Sequence, residues 1–117
     1  MINRSAIVLR AKPPMIKWIN KTGPDDSPPL SKRDVNRDRT VYLISEEAGE
    51  TEEAFREWVK ANFETLFEAE LMGWITDPEF WPRSRTFAVF TKWFDVEMHS
   101  VVLDTTDDDF VQYAFEP

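Results

Sequence analysis

The chain has no cysteine, one histidine and only three glycines among its 117 residues. Without cysteine it can form no disulfide, thiolate zinc site, iron–sulfur cluster or cysteine nucleophile. A single histidine excludes the HExxH zinc motif and any site built from several imidazoles. The glycines, at positions 23, 49 and 73, are too few and too far apart for a P-loop, a dinucleotide-binding fingerprint or a nucleophile elbow. We therefore expect no cofactor, and catalysis is the less favoured interpretation.

Long apolar segments are also missing. No apolar run approaches the roughly 18 residues that predict a membrane-spanning helix. The first twelve residues are too short and too polar for a signal peptide. We expect a cytoplasmic protein with no membrane association.

Charge is unevenly distributed along the chain. Residues 1–39 carry a net charge of +5 and residues 40–117 carry −13, which gives −8 overall. A net negative body repels nucleic-acid phosphates and anionic lipids, so we expect neither as a partner. It allows a protein partner, which could be basic. The positive segment either forms an anion-facing patch or neutralises acidic residues within one fold, and the second interpretation is favoured.

Length and composition indicate a single globular domain over residues 1–117. Residues 6–11 and 40–45 are apolar, β-branched runs that predict strands, the first of them central in its sheet. Residues 95–104 alternate between polar and apolar side chains, which predicts a third strand.

The helices are predicted from apolar spacing and capping residues. One helix follows Pro13, and a short one over 32–37 follows an N-cap at Ser31. Behind an N-cap at Thr51, apolar residues at three- and four-residue steps predict a helix of about 22 residues. Residues 87–94 also have helical spacing, although a strand is the open alternative there.

This order favours an α/β (α+β) fold, in which helices pack on a small three- to four-stranded sheet as a two-layer sandwich, with three layers as the alternative. The fourth strand would come from residues 105–117, an acidic and then aromatic tail. We expect this tail to be docked on the domain, because exposed aromatic side chains are costly. The competing interpretation is a mobile tail that a partner captures.

Glu70 is the first candidate site residue, because it falls within the apolar stripe of the long helix. A buried carboxylate needs a partner, is protonated, or marks a functional site. An ion pair with Arg83 or Arg85 would be the structural explanation, and it is favoured.

Asp95, Glu97 and His99 form the second candidate group, since alternation along a strand places all three on one face. Two carboxylates and an imidazole could hold a divalent metal ion or act as an acid and a base. A solvent-exposed strand face has the same alternation, and this simpler interpretation is favoured.

Five tryptophans are unusual in a chain of this length. Four of them fall on apolar helical stripes and are predicted to lie in the core. Trp81 lies in a proline-flanked loop after Phe80, and we take these two residues as candidates for contact with a partner.

Segments 40–46, 55–74, 81–94 and 95–104 resemble a group of small acidic bacterial proteins of unassigned function. The resemblance implies a cytoplasmic protein and carries over no catalytic residue.

Together these features favour a non-catalytic protein-interaction or accessory protein. One alternative is a homodimeric structural subunit completed by exposed aromatic side chains. The other is a small metal-assisted enzyme or ligand binder around Glu70, Glu97 and His99, which requires these side chains to converge on one cavity.

Overall fold

In the computed structural model of the chain, apolar β-branched runs form strands and apolar stripes form helices. The structure describes residues 1–24 and 26–113. The elements, in chain order, are β1 (Arg4–Ala11), α1 (Pro13–Thr22), α2 (Lys32–Val35), β2 (Val41–Ser45), α3 (Glu52–Met72), α4 (Phe87–Trp93) and β3 (Phe94–His99). Short 3-10 turns, Glu47–Gly49 and Pro78–Phe80, lie before α3 and before α4. Residues 87–93 are helical, which decides between the two alternatives that the sequence leaves open there.

The three strands form one antiparallel sheet in the order β2-β1-β3. The predicted central position of β1 is confirmed, and so is the α+β class. In the register, Ala6 lies between Leu43 and His99. The last strand ends at His99 and not at residue 104. Beyond it, the Ile2 N–H still donates to the Val102 carbonyl at 2.9 Å.

The two faces of the sheet differ in burial. Along β1, Ile7 and Leu9 are buried on one face, whereas Arg10 is exposed on the other. The inner face packs with residues of α1, α3 and α4 in one core, which includes Ile7, Leu9, Ala11, Ile44, Phe94, Met15, Ile19, Val59, Leu66, Phe67, Leu71 and Phe90. On the outer face of the described strands only Ala6 is buried, and it is not part of this core. A two-layer arrangement requires such one-sided packing.

The helix ends follow the predicted capping chemistry. The Thr51 hydroxyl accepts the Ala54 N–H at 3.0 Å, which begins α3. Ser31 and Asp34 form a reciprocal capping box at the start of α2, with distances of 3.1 and 2.9 Å. Because these bonds join residues three apart, they could be predicted from the local sequence.

In the described part of the tail, residues 105–113 form no strand. Phe110, Val111 and Tyr113 are all exposed. Residues 114–117 lie outside the described residues, so docking of the whole tail stays a prediction. Within the described ranges, no helix is both long enough and apolar enough to cross a bilayer.

Candidate functional site

Asp95, Glu97 and His99 lie on the outer face of β3, as the alternation predicts. The Glu97 carboxylate accepts hydrogen bonds from the Arg10 Nε–H and an Arg39 Nη–H, both at 3.3 Å. Asp95 is ion-paired with Lys12 at 3.2 Å. Both carboxylates therefore face a cation supplied by residues 1–39. This cross-pairing is the neutralisation within one fold that the charge distribution favours.

These three side chains do not gather around a common point. Across residues 1–24 and 26–113, no three histidine, aspartate or glutamate side chains are placed to hold one metal ion. Asp95 and Glu97 are held apart by their separate cations, and His99 is exposed. The arrangement is that of a solvent-facing strand.

Glu70 lies on the opposite side of the sheet. Its Oε2 accepts the hydroxyl hydrogen of Tyr42, an inner-face residue of β2, at 2.5 Å. Tyr42, and not Arg83 or Arg85, is the partner found among the described residues; Arg85 instead lies 3.9 Å from Glu68. Sequence spacing could not find this pair, because the two residues are 28 positions apart. Glu70 therefore cannot act together with the outer-face Glu97 and His99.

The electrostatics of the Glu70 pair follow from its burial. Burial raises the pKa of the Glu70 carboxyl above its ordinary 4.5, and the hydrogen bond from Tyr42 opposes this shift. Burial, together with the neighbouring carboxylate, raises the pKa of the Tyr42 hydroxyl. The pair thus satisfies two half-buried polar groups at once.

A cavity of about 290 Å³ lies beside Glu70. Much of its polar lining is engaged in bonds within the fold. The Asn36 side chain accepts the Ala11 N–H at 2.8 Å and donates to the Ala11 and Lys32 carbonyls. Asp34 caps α2, and Arg39 is bound to Glu97. Throughout the part of the chain that the structure describes, no buried side-chain nitrogen or oxygen lacks a partner. Of the four charged side chains that line the cavity (Asp34, Asp38, Arg39 and Glu70), all but Asp38 are therefore engaged within the fold.

The free energy of unfolding of the wild type is expected to fall as pH rises because of Glu70. The Glu70→Gln variant should not show this contribution. The unfolded chain releases the Glu70 proton near the ordinary pKa of 4.5, whereas the folded chain retains it to higher pH. The folded state therefore becomes less stable as pH rises through the raised pKa. Urea unfolding between about pH 4 and pH 8 should show the variant gaining stability relative to the wild type.

Tyr42→Phe is the matched comparison for this prediction, because it removes the hydrogen bond that opposes the raised pKa. Its stability should fall more steeply with pH than that of the wild type. A difference between Glu70→Gln and wild type that does not change with pH would contradict the burial of this carboxyl.

The two aromatic candidates have different positions. Trp81 is buried, and its indole N–H donates to the Ile75 carbonyl at 2.8 Å. It belongs to the core, and this position does not present it to a partner. Phe80 is exposed, so contact with a partner stays a prediction for this residue. Trp74 is also exposed, which corrects the core position predicted for it.

Strand β2 is the feature that the sequence interpretation missed. The sequence predicts a strand here that is apolar on both faces, without giving its place in the sheet, and the structure places it at the edge. On the outer face, Val41 is 57% and Leu43 is 50% exposed. The sequence did carry one signal for an unprotected edge: the strand combines high β propensity with no charged residue.

Opposite charges flank this strand. A concave basic surface lies at the end where β2 begins and is formed by Arg10, Lys32, Arg33, Arg37 and Arg39, with Asp34 and Asn36. Glu46, Glu47 and Glu50, all exposed, follow the other end. The edge is therefore uncharged along its length, with basic residues at one end and acidic residues at the other.

No family model, curated protein or solved structure matches the chain. The resemblance to small acidic bacterial proteins therefore stays a prediction. The described residues define an α+β protein with three antiparallel strands in one open sheet and four helices.

Proposed function

We propose that this chain is a non-catalytic cytoplasmic protein that acts by binding another protein along strand β2. The observation that carries the proposal is the exposure of Val41 and Leu43 on an uncharged strand at the edge of the sheet. Neither nucleic acid nor a membrane surface is the proposed partner, because the net charge of −8 repels both.

An edge strand offers hydrogen-bonding groups to an added strand. Among the described residues β2 pairs only with β1, so the N–H and C=O groups along its other side have no strand partner. Natural edge strands are commonly protected by lysine, proline or a bulge. The residues of β2 (Val41–Ser45) include neither lysine nor proline, and the register with β1 continues without interruption. This edge is therefore suited to strand addition.

The outer face next to this edge would give the added strand its specificity. Val41 and Leu43 lie opposite Val8 and Ala6 of the central strand, which makes this half of the face apolar. On their other side, Val8 and Ala6 lie opposite Glu97 and His99 of β3. A bound chain would thus contact apolar side chains over β2 and reach charged groups only beyond β1.

The proposal is tested by replacing Leu43 with lysine and comparing partner capture. Leu43 is half-exposed, so we expect the variant to fold, while the new charge blocks the apolar contact. Immobilised wild-type protein should retain a specific protein from a native lysate, and Leu43→Lys should lose it. Val101→Lys is the matched control, since Val101 is 64% exposed and lies outside the strands.

The retained protein is then identified, purified and mixed with the chain. Backbone amides of β2 should become protected from hydrogen exchange in the mixture, while those of the exposed segment around Val101 should not. Equal capture by the wild type, Leu43→Lys and Val101→Lys would contradict the proposed binding edge. Protection from hydrogen exchange elsewhere than at β2 would also contradict it.

A further inference from the structure

We propose that the chain bound at β2 is a second copy of this protein, so that two three-stranded sheets join into one continuous antiparallel sheet. This inference rests on the proposed function and names its partner. The alternative partners, which are other proteins with an open strand, are distinguished by the test below.

The charges around β2 are self-complementary in the antiparallel direction. Arg37, Asp38 and Arg39 precede the strand and sum to a charge of +1, whereas Glu46 and Glu47 follow it and sum to −2. When two copies pair antiparallel, the basic start of each strand lies beside the acidic end of the other. A parallel pair would place like charges together at both ends. Charge therefore favours the two-fold arrangement, which is also the commonest symmetry of soluble homodimers.

The side chains of β2 fit the same symmetry. A two-fold axis perpendicular to the sheet keeps the outer faces of both copies on one side, so residues directly opposite share a face. Of the registers that meet this condition, one is centred on the strand and another is centred one residue earlier, on Tyr42. One places the two Leu43 side chains opposite each other, and the other places Val41 opposite Leu43. In the first register only the Leu43 side chains cover each other directly, because Val41 lies opposite Ser45, whereas in the second Val41 and Leu43 of each copy cover those of the other.

The association is expected to be weak. A strand of five residues contributes a small interface, near the lower limit for specific complexes. Each copy also carries a net charge of −8, which opposes their approach. The test must therefore detect a dimer that dissociates on dilution.

Cysteine cross-linking provides this test, since the wild-type chain contains no cysteine. Side chains directly opposite in an antiparallel pair have Cβ atoms about 4.5–5.5 Å apart, close to disulfide geometry. Under mild oxidation, Leu43→Cys should form covalent dimers if the two Leu43 positions are opposite. In the other register, a mixture of Val41→Cys and Leu43→Cys should form them instead. Val101→Cys, which is more exposed and lies off the sheet, should not cross-link at the same rate.

Sedimentation of uncross-linked protein gives an independent measurement. The mass of the wild type should rise toward two chains as concentration increases, and Leu43→Lys should remain a monomer. Glu47→Arg should also weaken the dimer, although it lowers the net negative charge of each copy, because it places a cation near the start of the other copy's strand, where the Arg37 side chain is largely exposed. Stronger association of Glu47→Arg would overturn the antiparallel pairing.

A wild type that is monomeric up to about 100 µM, with no cysteine cross-link, would overturn self-association, since even a Kd of tens of µM would then be visible. A dimer that survives Leu43→Lys would also overturn it, because the contact would lie elsewhere. A monomeric wild type without a cross-link does not contradict the proposed function, which is tested separately by Leu43-dependent capture of a different protein. The two failures are thus distinguishable.

Discussion

Replacing Phe67 with alanine is expected to lower the free energy of unfolding by about 3–5 kcal/mol. Phe67 is fully buried, on the face of α3 that packs into the core. Its ring centroid lies 5.9 Å from Phe90, 5.4 Å from Trp93 and 5.6 Å from Phe94. The substitution removes these contacts and leaves a cavity between α3, α4 and β3. Urea unfolding at neutral pH measures the loss.

Phe80→Ala is the control, since it makes the same chemical change at a side chain that is 57% exposed. Its effect should be within about 0.5 kcal/mol, as for most surface substitutions. If Phe67→Ala costs less than about 1 kcal/mol, α3 does not pack through this ring as described.

Replacing Gly49 with alanine is expected to cost about 1–3 kcal/mol, because an added methyl group has no space. A Cβ at Gly49 would lie 2.2 Å from Oγ and 2.7 Å from Cβ of Ser5. Ser5 is buried on the central strand, so relief requires a shift of either β1 or the turn before α3. Thermal and urea unfolding of the variant should both show the loss.

Two comparisons isolate the steric cause. At Gly73 an added Cβ would meet its nearest atom, the Glu70 carbonyl oxygen, at 3.4 Å, which is ordinary contact. Gly73→Ala should therefore be neutral or stabilising by up to about 1 kcal/mol, because it restricts the unfolded chain. Ser5→Gly removes the obstructing side chain, so Gly49→Ala should cost less in that background. Strictly additive effects would show that Ser5 is not the obstacle.

The sequence by itself determined the elements whose causes are local. The caps at Thr51 and Ser31 act across three residues, so their helix starts could be predicted from neighbouring positions alone. The apolar spacing behind Thr51 likewise predicts α3, which spans 21 residues in the structure. Alternation also places Asp95, Glu97 and His99 correctly on one face, because a strand turns every second side chain to the same side.

Only the tertiary structure decided which elements meet. Glu70 and Tyr42 are 28 positions apart, and a pair of that separation is chosen by how the sheet and α3 pack, not by local spacing. The same packing separates Glu70 from Glu97 and His99, and it brings Gly49 against Ser5. The edge position of β2 likewise depends on strand order, because β1 and β2 are both apolar on their two faces and yet only β1 is central. An uncharged strand is central when it is paired on both sides and leaves an open edge when it is paired on one.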